Sequence, residues 1–111
     1  MSYNNYLDAS SALETCDEFE EPTAVVVKHN TPCGVASNDK PWIALQKAIA
    51  SDRESAYGSV VCINREFDLE CASSIGDLFV EVLMAPSYSP EALDKISKKK
   101  NLRIITYEKG Q

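Results

Sequence analysis

The stretch Ala24-Val25-Val26-Val27-Lys28-His29-Asn30-Thr31-Pro32-Cys33-Gly34 decides how the rest of the chain is read. Its opening run is apolar, largely β-branched and without polar alternation, the pattern of a strand buried on both faces. Such strands sit in sheets covered by helices, so helical periodicity is expected on either side. The run gives way to Lys28-His29, and Pro32 and Gly34 are expected to turn the chain there.

Both flanks carry that periodicity. Upstream, Ala9, Ala12, Leu13, Cys16 and Phe19 recur at helical spacing, with Asp8 read as the N-cap and Pro22 as the stop. Downstream, Pro41 suits a first helical position, and Trp42, Leu45, Ala48 and Ile49 form the next apolar stripe. Ser59-Val60-Val61-Cys62-Ile63, introduced by Gly58, is a second strand. Asp68 is placed to cap a helix with Cys71, Ala72, Ile75, Leu78 and Phe79 on one side, and Val80 to Ala85 is a third strand stopped by Pro86. Ser89-Pro90-Glu91 opens a last helix with Leu93 and Ile96 facing inward, and Leu102 to Thr106 is a fourth strand. Lys98, Lys99 and Lys100 fall in the last turn of that helix, where the dipole alone favours them by about 0.3–1 kcal/mol.

This alternation predicts a three-layer α/β/α architecture around a mostly parallel sheet of about four strands. Ligands in such sheets sit beyond the carboxyl ends of strands. That rule points to the residues after Val27, near Gly58 and near Ala85.

Composition bounds the function classes. At 111 residues the chain is expected to be a single domain over 1–111. Its apolar fraction of 44% and charged fraction of 25% are ordinary for a globular protein. It has no run of about eighteen apolar residues and no basic-plus-apolar leader, so neither a membrane nor a secretory route is expected. The net charge of −6 argues against nucleic acid, which demands clustered Lys and Arg, but leaves room for a small anionic ligand at a locally basic site. Glu14, Asp17, Glu18, Glu20 and Glu21 supply much of the excess and read as a solvated helix face. Cys16, Cys62 and Cys71 lie in apolar patterns and read as buried thiols of a reduced, cytoplasmic protein. With one His and no Cys-x-x-Cys pair, no metal site is expected in this chain.

Lys28 and His29 are the residues whose types suggest chemistry. A His serves as a general base near neutral pH, and a neighbouring Lys can hold developing negative charge. On residue type alone, a Lys-His pair ending a strand is more often a surface pair than a catalytic one.

The wider text changes those odds. Lys28-His29-Asn30-Thr31-Pro32-Cys33-Gly34-Val35-Ala36 resembles the Lys-His-x-Asn-Pro-Cys-Gly-Val-Ala segment of the AICAR transformylase domain, found in the bifunctional AICAR formyltransferase/IMP cyclohydrolase family. Ser2-Tyr3-Asn4-Asn5 is similar to that family's Ser-Tyr-Asn-Asn ahead of a helix, and Ser55-Ala56-Tyr57-Gly58 to its Ser-Ala-Phe-Gly. Phe79-Val80-Glu81-Val82-Leu83-Met84-Ala85-Pro86 resembles Phe-x-Glu-Val-Ile-x-Ala-Pro, and Lys98-Lys99-Lys100-Asn101-Leu102-Arg103 resembles Lys-Lys-Asn-Leu-Arg. Thr31 stands where the motif has Asn, and Ser59 replaces a second glycine.

The resemblance implies a cytidine-deaminase-like fold, of which this chain is most of the first half of the transformylase domain. It implies formyl transfer from 10-formyltetrahydrofolate, the co-substrate, to the 5-amino group of AICAR in purine biosynthesis. His29 would be the base and Lys28 the transition-state stabiliser, while Gly58 and Glu81 would bind the ribotide. The family's folate-binding residues and potassium site lie in its second half. In that family the site forms at a homodimer interface, so the resemblance implies self-association or a complementary polypeptide. A ribotide-binding module without catalysis is the alternative.

Overall fold

A computed structural model describes residues 3–108; Ser2 of the Ser2-Tyr3-Asn4-Asn5 segment and the two ends of the expected domain lie outside the described residues. The order is α1 (Tyr3–Asp17), β1 (Thr23–Lys28), β2 (Thr31–Ser37), α2 (Pro41–Ser51), α3 (Arg53–Ala56), β3 (Ser59–Ile63), α4 (Leu69–Ile75), β4 (Val80–Ala85), α5 (Pro90–Ile96) and β5 (Arg103–Thr106).

The strands form one sheet in the order β2-β1-β3-β4-β5. Strand β1 runs antiparallel to both of its neighbours, while β3, β4 and β5 are mutually parallel. Four strands therefore share one direction and β1 opposes them. The three-layer architecture is as the helix–strand alternation predicts, but the sheet is mixed and has a fifth strand.

That strand is β2, where Pro32 and Gly34 were expected to turn the chain. The turn falls earlier, at His29 and Asn30, whose φ values of 54° and 61° are the paired positive angles of a tight β-hairpin. Pro32 is tolerated because β2 lies at the sheet edge, where a missing N–H breaks no ladder. A register shift between Val26 and Val27 leaves Cys33 as the extra, bulged residue opposite them. Gly34 serves the layer above: a β-carbon there would lie 1.9 Å from the Ala48 carbonyl oxygen of α2. Its absence lets the helix backbone approach the sheet.

Helices α2 to α5 cover one face. Ala44, Leu45, Ala48, Ile49, Cys71, Ala72, Ile75, Ala92 and Ile96 pack there on Ala24, Val26, Val61, Ile63, Leu83 and Ala85. Among the described residues helix α1 alone covers the other face, setting Ala9, Ala12 and Cys16 on Val25, Val27, Val60, Cys62, Val82 and Met84. Cys16, Cys62 and Cys71 are free, buried thiols, as their apolar settings predict.

The caps expected at Asp68 and Ser89 form, accepting from the Cys71 and Ala92 amides. Asp8 is different: α1 starts a turn earlier, so Asp8 is a helix-interior residue rather than a cap. Glu18, Glu20 and Glu21 are exposed but lie beyond the end of α1, which stops at Asp17, well before Pro22. Helix α4 ends at Gly76 (φ 54°), excluding Leu78 and Phe79 from it. On α5 the buried residues are Ala92 and Ile96, and Leu93 is 40% exposed. Lys98, Lys99 and Lys100 follow α5 instead of closing it; Lys99 donates to the Gly76 carbonyl and Lys98 pairs with Asp94. Among the described residues no helix is long and apolar enough to cross a membrane.

Candidate functional site

Because β1 opposes β3 and β4, its carboxyl end meets their amino ends at one edge of the sheet. A cleft of ≈ 340 Å³ opens there, lined by Asn4, Asn5, Asp8, Lys28, His29, Tyr57, Gly58, Phe79 and Glu81. All four residues singled out in the sequence, Lys28, His29, Gly58 and Glu81, therefore share one cavity although they come from β1, the hairpin turn, the turn before β3 and β4. Two of the three places indicated by the strand-end rule coincide here, those after Val27 and near Gly58. Ala85 does not, because it closes the opposite end of β4 beside Thr106. The rule assumes parallel strands, and the reversed β1 brings the cleft to the amino ends of its neighbours.

Each side chain has a local cause for its position. Lys28 is the last residue of β1 and half-buried; its Nζ donates to the Tyr57 carbonyl oxygen at 2.5 Å. A β-carbon on Gly58 would sit 3.6 Å from that ammonium, so Lys28 and Gly58 are direct neighbours. Gly58 has a φ of 77°, a conformation L side chains resist, and its N–H donates to the Phe79 carbonyl at 2.8 Å. The turn into β3 thus demands glycine for backbone reasons. His29, in the hairpin turn, is exposed at the mouth.

Glu81 owes its aim to a bulge. The β3–β4 register pairs Ser59 with Val80 but Val60 with Val82, leaving Glu81 unopposed. The extra residue breaks strict alternation: Val80 packs with the α2 face, and Val82 packs with the α1 face. Glu81 turns toward α1, where Asn5 Nδ2 donates to its Oε2 at 2.8 Å. It is half-buried, neither an outward strand residue nor an ion-pair partner in any bridge found among the described residues.

Sequence reasoning missed part of the wall. Asn4, Asn5 and Asp8 come from the first turns of α1, and Asn4 and Asp8 sit at helical i, i+4 spacing on one face. Asp8 is 9% exposed, and its Oδ1 accepts from the Asn30 amide at 2.5 Å. Tyr57 and Phe79 form an edge-to-face pair, centroids 5.3 Å apart, that gives the cleft an apolar side. Ser59, next to Gly58, is 1% exposed, and its hydroxyl has no hydrogen-bond partner among the described residues. Cys33 donates to the Val26 carbonyl at 3.5 Å, and burial pushes its thiol pKa up, making it a poor nucleophile.

The arrangement combines a cation, a histidine, hydrogen-bonding amides and carboxylates beside a small aromatic wall. It offers hydrogen-bonding and charged groups along one side and an apolar surface along the other. No His, Cys, Asp or Glu side chains cluster as metal ligands among the described residues, so the zinc chemistry of deaminases does not fit this cavity.

Layering, strand order and the reversed β1 define a cytidine-deaminase-like α/β domain. It superposes on RibD from Acinetobacter baumannii with a TM-score of 0.67 at 13% identity, covering 89% of this chain and 35% of that chain. It also superposes on the dCMP deaminase of cyanophage S-TIM5, with a TM-score of 0.62 at 16% identity, covering 95% and 100%. Likeness at such identities speaks for the fold alone.

The sequence places it further: the chain belongs to the AICARFT/IMPCHase bienzyme family, whose model matches residues 1–111. It is 46% identical over 106 residues to the bifunctional purine biosynthesis protein PurH of Halalkalibacterium halodurans, covering 96% of this chain and 21% of that protein. Against the Myxococcus xanthus PurH it is 49% identical over 106 residues, covering 95% and 21%. The chain thus spans about one fifth of the length of these relatives.

Proposed function

We propose that this chain carries the Lys-His portion of an AICAR formyl-transfer site, acting in purine biosynthesis in the cytoplasm. The observation that supports it is the convergence of Lys28, His29, Gly58 and Glu81 on one cleft. The 5-amino group of AICAR is a weak nucleophile, its lone pair drawn into the ring and the adjacent carboxamide. His29 takes a proton from it as the nitrogen bonds to the formyl carbon of 10-formyltetrahydrofolate. Lys28, anchored by the Tyr57 carbonyl, faces the negative charge that develops on the formyl oxygen. The carbon–nitrogen bond to the folate then breaks, and tetrahydrofolate leaves with a proton. Glu81 and the Gly58 backbone hold the ribotide, with Tyr57 and Phe79 alongside its ring.

The folate is held outside this chain's cleft, by a second copy or a complementary polypeptide. The test is formyl transfer from 10-formyltetrahydrofolate to AICAR, measured for the chain alone and mixed with the remaining portion of the Halalkalibacterium halodurans PurH. Transfer should fall roughly 10²–10⁴-fold in His29→Ala, the range general-base help supplies. Transfer indifferent to His29→Ala would overturn the assignment. AICAR binding without transfer in any mixture would leave a non-catalytic ribotide-binding module.

A further inference from the structure

We infer that Asp8 is a positioning residue: it tethers the His29–Asn30 turn and so aims His29 at the cleft. The inference rests on the formyl-transfer reading for its consequence in catalysis, but the tether itself does not.

The hairpin is the starting point. Two-residue turns with two positive φ angles favour Asn-Gly or Gly-Gly, because most L side chains resist that backbone. Here the pair is His29-Asn30, with φ of 54° and 61°. Asn and His enter this region more often than most L residues, yet it suits them less than glycine, and a residue held there persists when its surroundings over-determine it. The paired ladder ends with Lys28 opposite Thr31, so the Asn30 amide lies outside it, on an exposed residue, and is open to a side-chain acceptor.

Asp8 supplies that acceptor from a distant part of the chain. Its Oδ1 takes the Asn30 N–H at 2.5 Å, a charge-assisted bond from a residue only 9% exposed. The helix behind it is fixed, since Ala9, Ala12 and Cys16 pack on β1, β3 and β4. Asp8 also lines both depressions flanking His29: the main cleft, and a second of ≈ 270 Å³ formed with Asn4, Leu7, His29 and Asn30. Without the tether, the turn is free to relax toward a less strained backbone and carry the imidazole away from Lys28 and Gly58.

The experiment compares wild type with Asp8→Ala, Asp8→Ser and Asp8→Asn by amide hydrogen exchange and ¹⁵N relaxation without ligand, then by AICAR titration. In Asp8→Ala the Asn30 amide should exchange about 10-fold faster or more. His29 should gain backbone motion while Val26 and Val61 in the sheet stay protected. Asp8→Asn, which retains an acceptor oxygen, should recover part of the protection. Should Asp8→Ala fail to fold, Asp8→Ser, too short to span to Asn30, carries the same comparison. Unchanged exchange at Asn30 and unchanged motion at His29 in the folded variants overturn the inference. Lost protection in a protein whose wild type does not bind AICAR upholds the tether and sinks the ribotide reading instead. Where wild type binds, AICAR affinity should drop about 10-fold or more in Asp8→Ala.

Discussion

At the scale of the residue, His29 sits where chemistry and conformation pull in different directions. Its left-handed backbone costs an ordinary L residue roughly 1–2 kcal/mol, a cost that asparagine largely avoids. His29→Asn should therefore leave folding stability unchanged or raise it by up to about 1 kcal/mol while removing the imidazole proposed as the base. Urea unfolding alongside the transfer assay checks both halves, and a large stability loss would contradict the conformational account. The buried thiols give a second expectation. Burial pushes the Cys71 thiol up to about 12 from 9.0, and the Cys62 thiol, facing Cys16, is pushed up as well. The thiolate is disfavoured in the fold, so this contribution is fully present below the unfolded value near 9. It is lost as pH rises toward the folded value, because the unfolded state then binds fewer protons. The urea midpoint should fall between pH 8 and pH 11, and Cys71→Ala should lessen that fall. The decline should not vanish, since Tyr88 and Tyr107 are also raised by burial.

At the scale of the element, the instructive case is β2. Strands β3 and β4 were legible to the residue because each is mostly apolar, β3 lying between Gly58 and Asn64 and β4 ending before Pro86. Strand β2 was not: its Pro32, Gly34 and exposed Thr31, Val35 and Ser37 read as a loop by any local measure. What makes it a strand is non-local, the edge position that forgives the proline and the α2 backbone that requires the glycine. Gly34→Ala should therefore cost at or beyond the upper end of the roughly 1–3 kcal/mol typical of overpacking, because the clash is with backbone and cannot be relieved by a rotamer. A denaturant series showing a loss under about 1 kcal/mol would mean that α2 shifts easily. The same non-locality hid Asn64, buried at the end of β3. It accepts from the Thr23 amide at 2.7 Å and donates to the Phe19 and Glu21 carbonyls, tying the α1–β1 connection down. It also hid the bulge that redirects Glu81, since a bulge is visible only once two strands are paired. Lys28 and His29 stood out by residue type and the neighbourhood of Gly58 by the strand-end rule, while Glu81 came from the family motifs alone. Asp8 was noticed for a helix-capping role it does not have.

At the scale of the whole molecule, the layers are unequal. Four helices close one face of the sheet, whereas α1 covers the other, and the cleft opens along the first turns of α1. The site is therefore built from two tethers across that single helix, Asn5 to Glu81 and Asp8 to Asn30. Its floor is where the reversed β1 meets β3 and β4. The cavity is walled by α1 and strand ends, and among the described residues no group of His, Cys, Asp and Glu side chains gathers as a metal site. The central claim, that this cleft receives a purine ribotide, is tested most directly by titrating AICAR into ¹⁵N-labelled protein and mapping amide shifts. The account expects saturable changes concentrated at Asn4, Asn5, Asp8, Lys28, His29, Tyr57, Gly58, Phe79 and Glu81, and weakened in Glu81→Ala. A folded protein whose amides there stay unmoved at millimolar AICAR, or whose shifts gather at the opposite end of the sheet around Ala85, would contradict it.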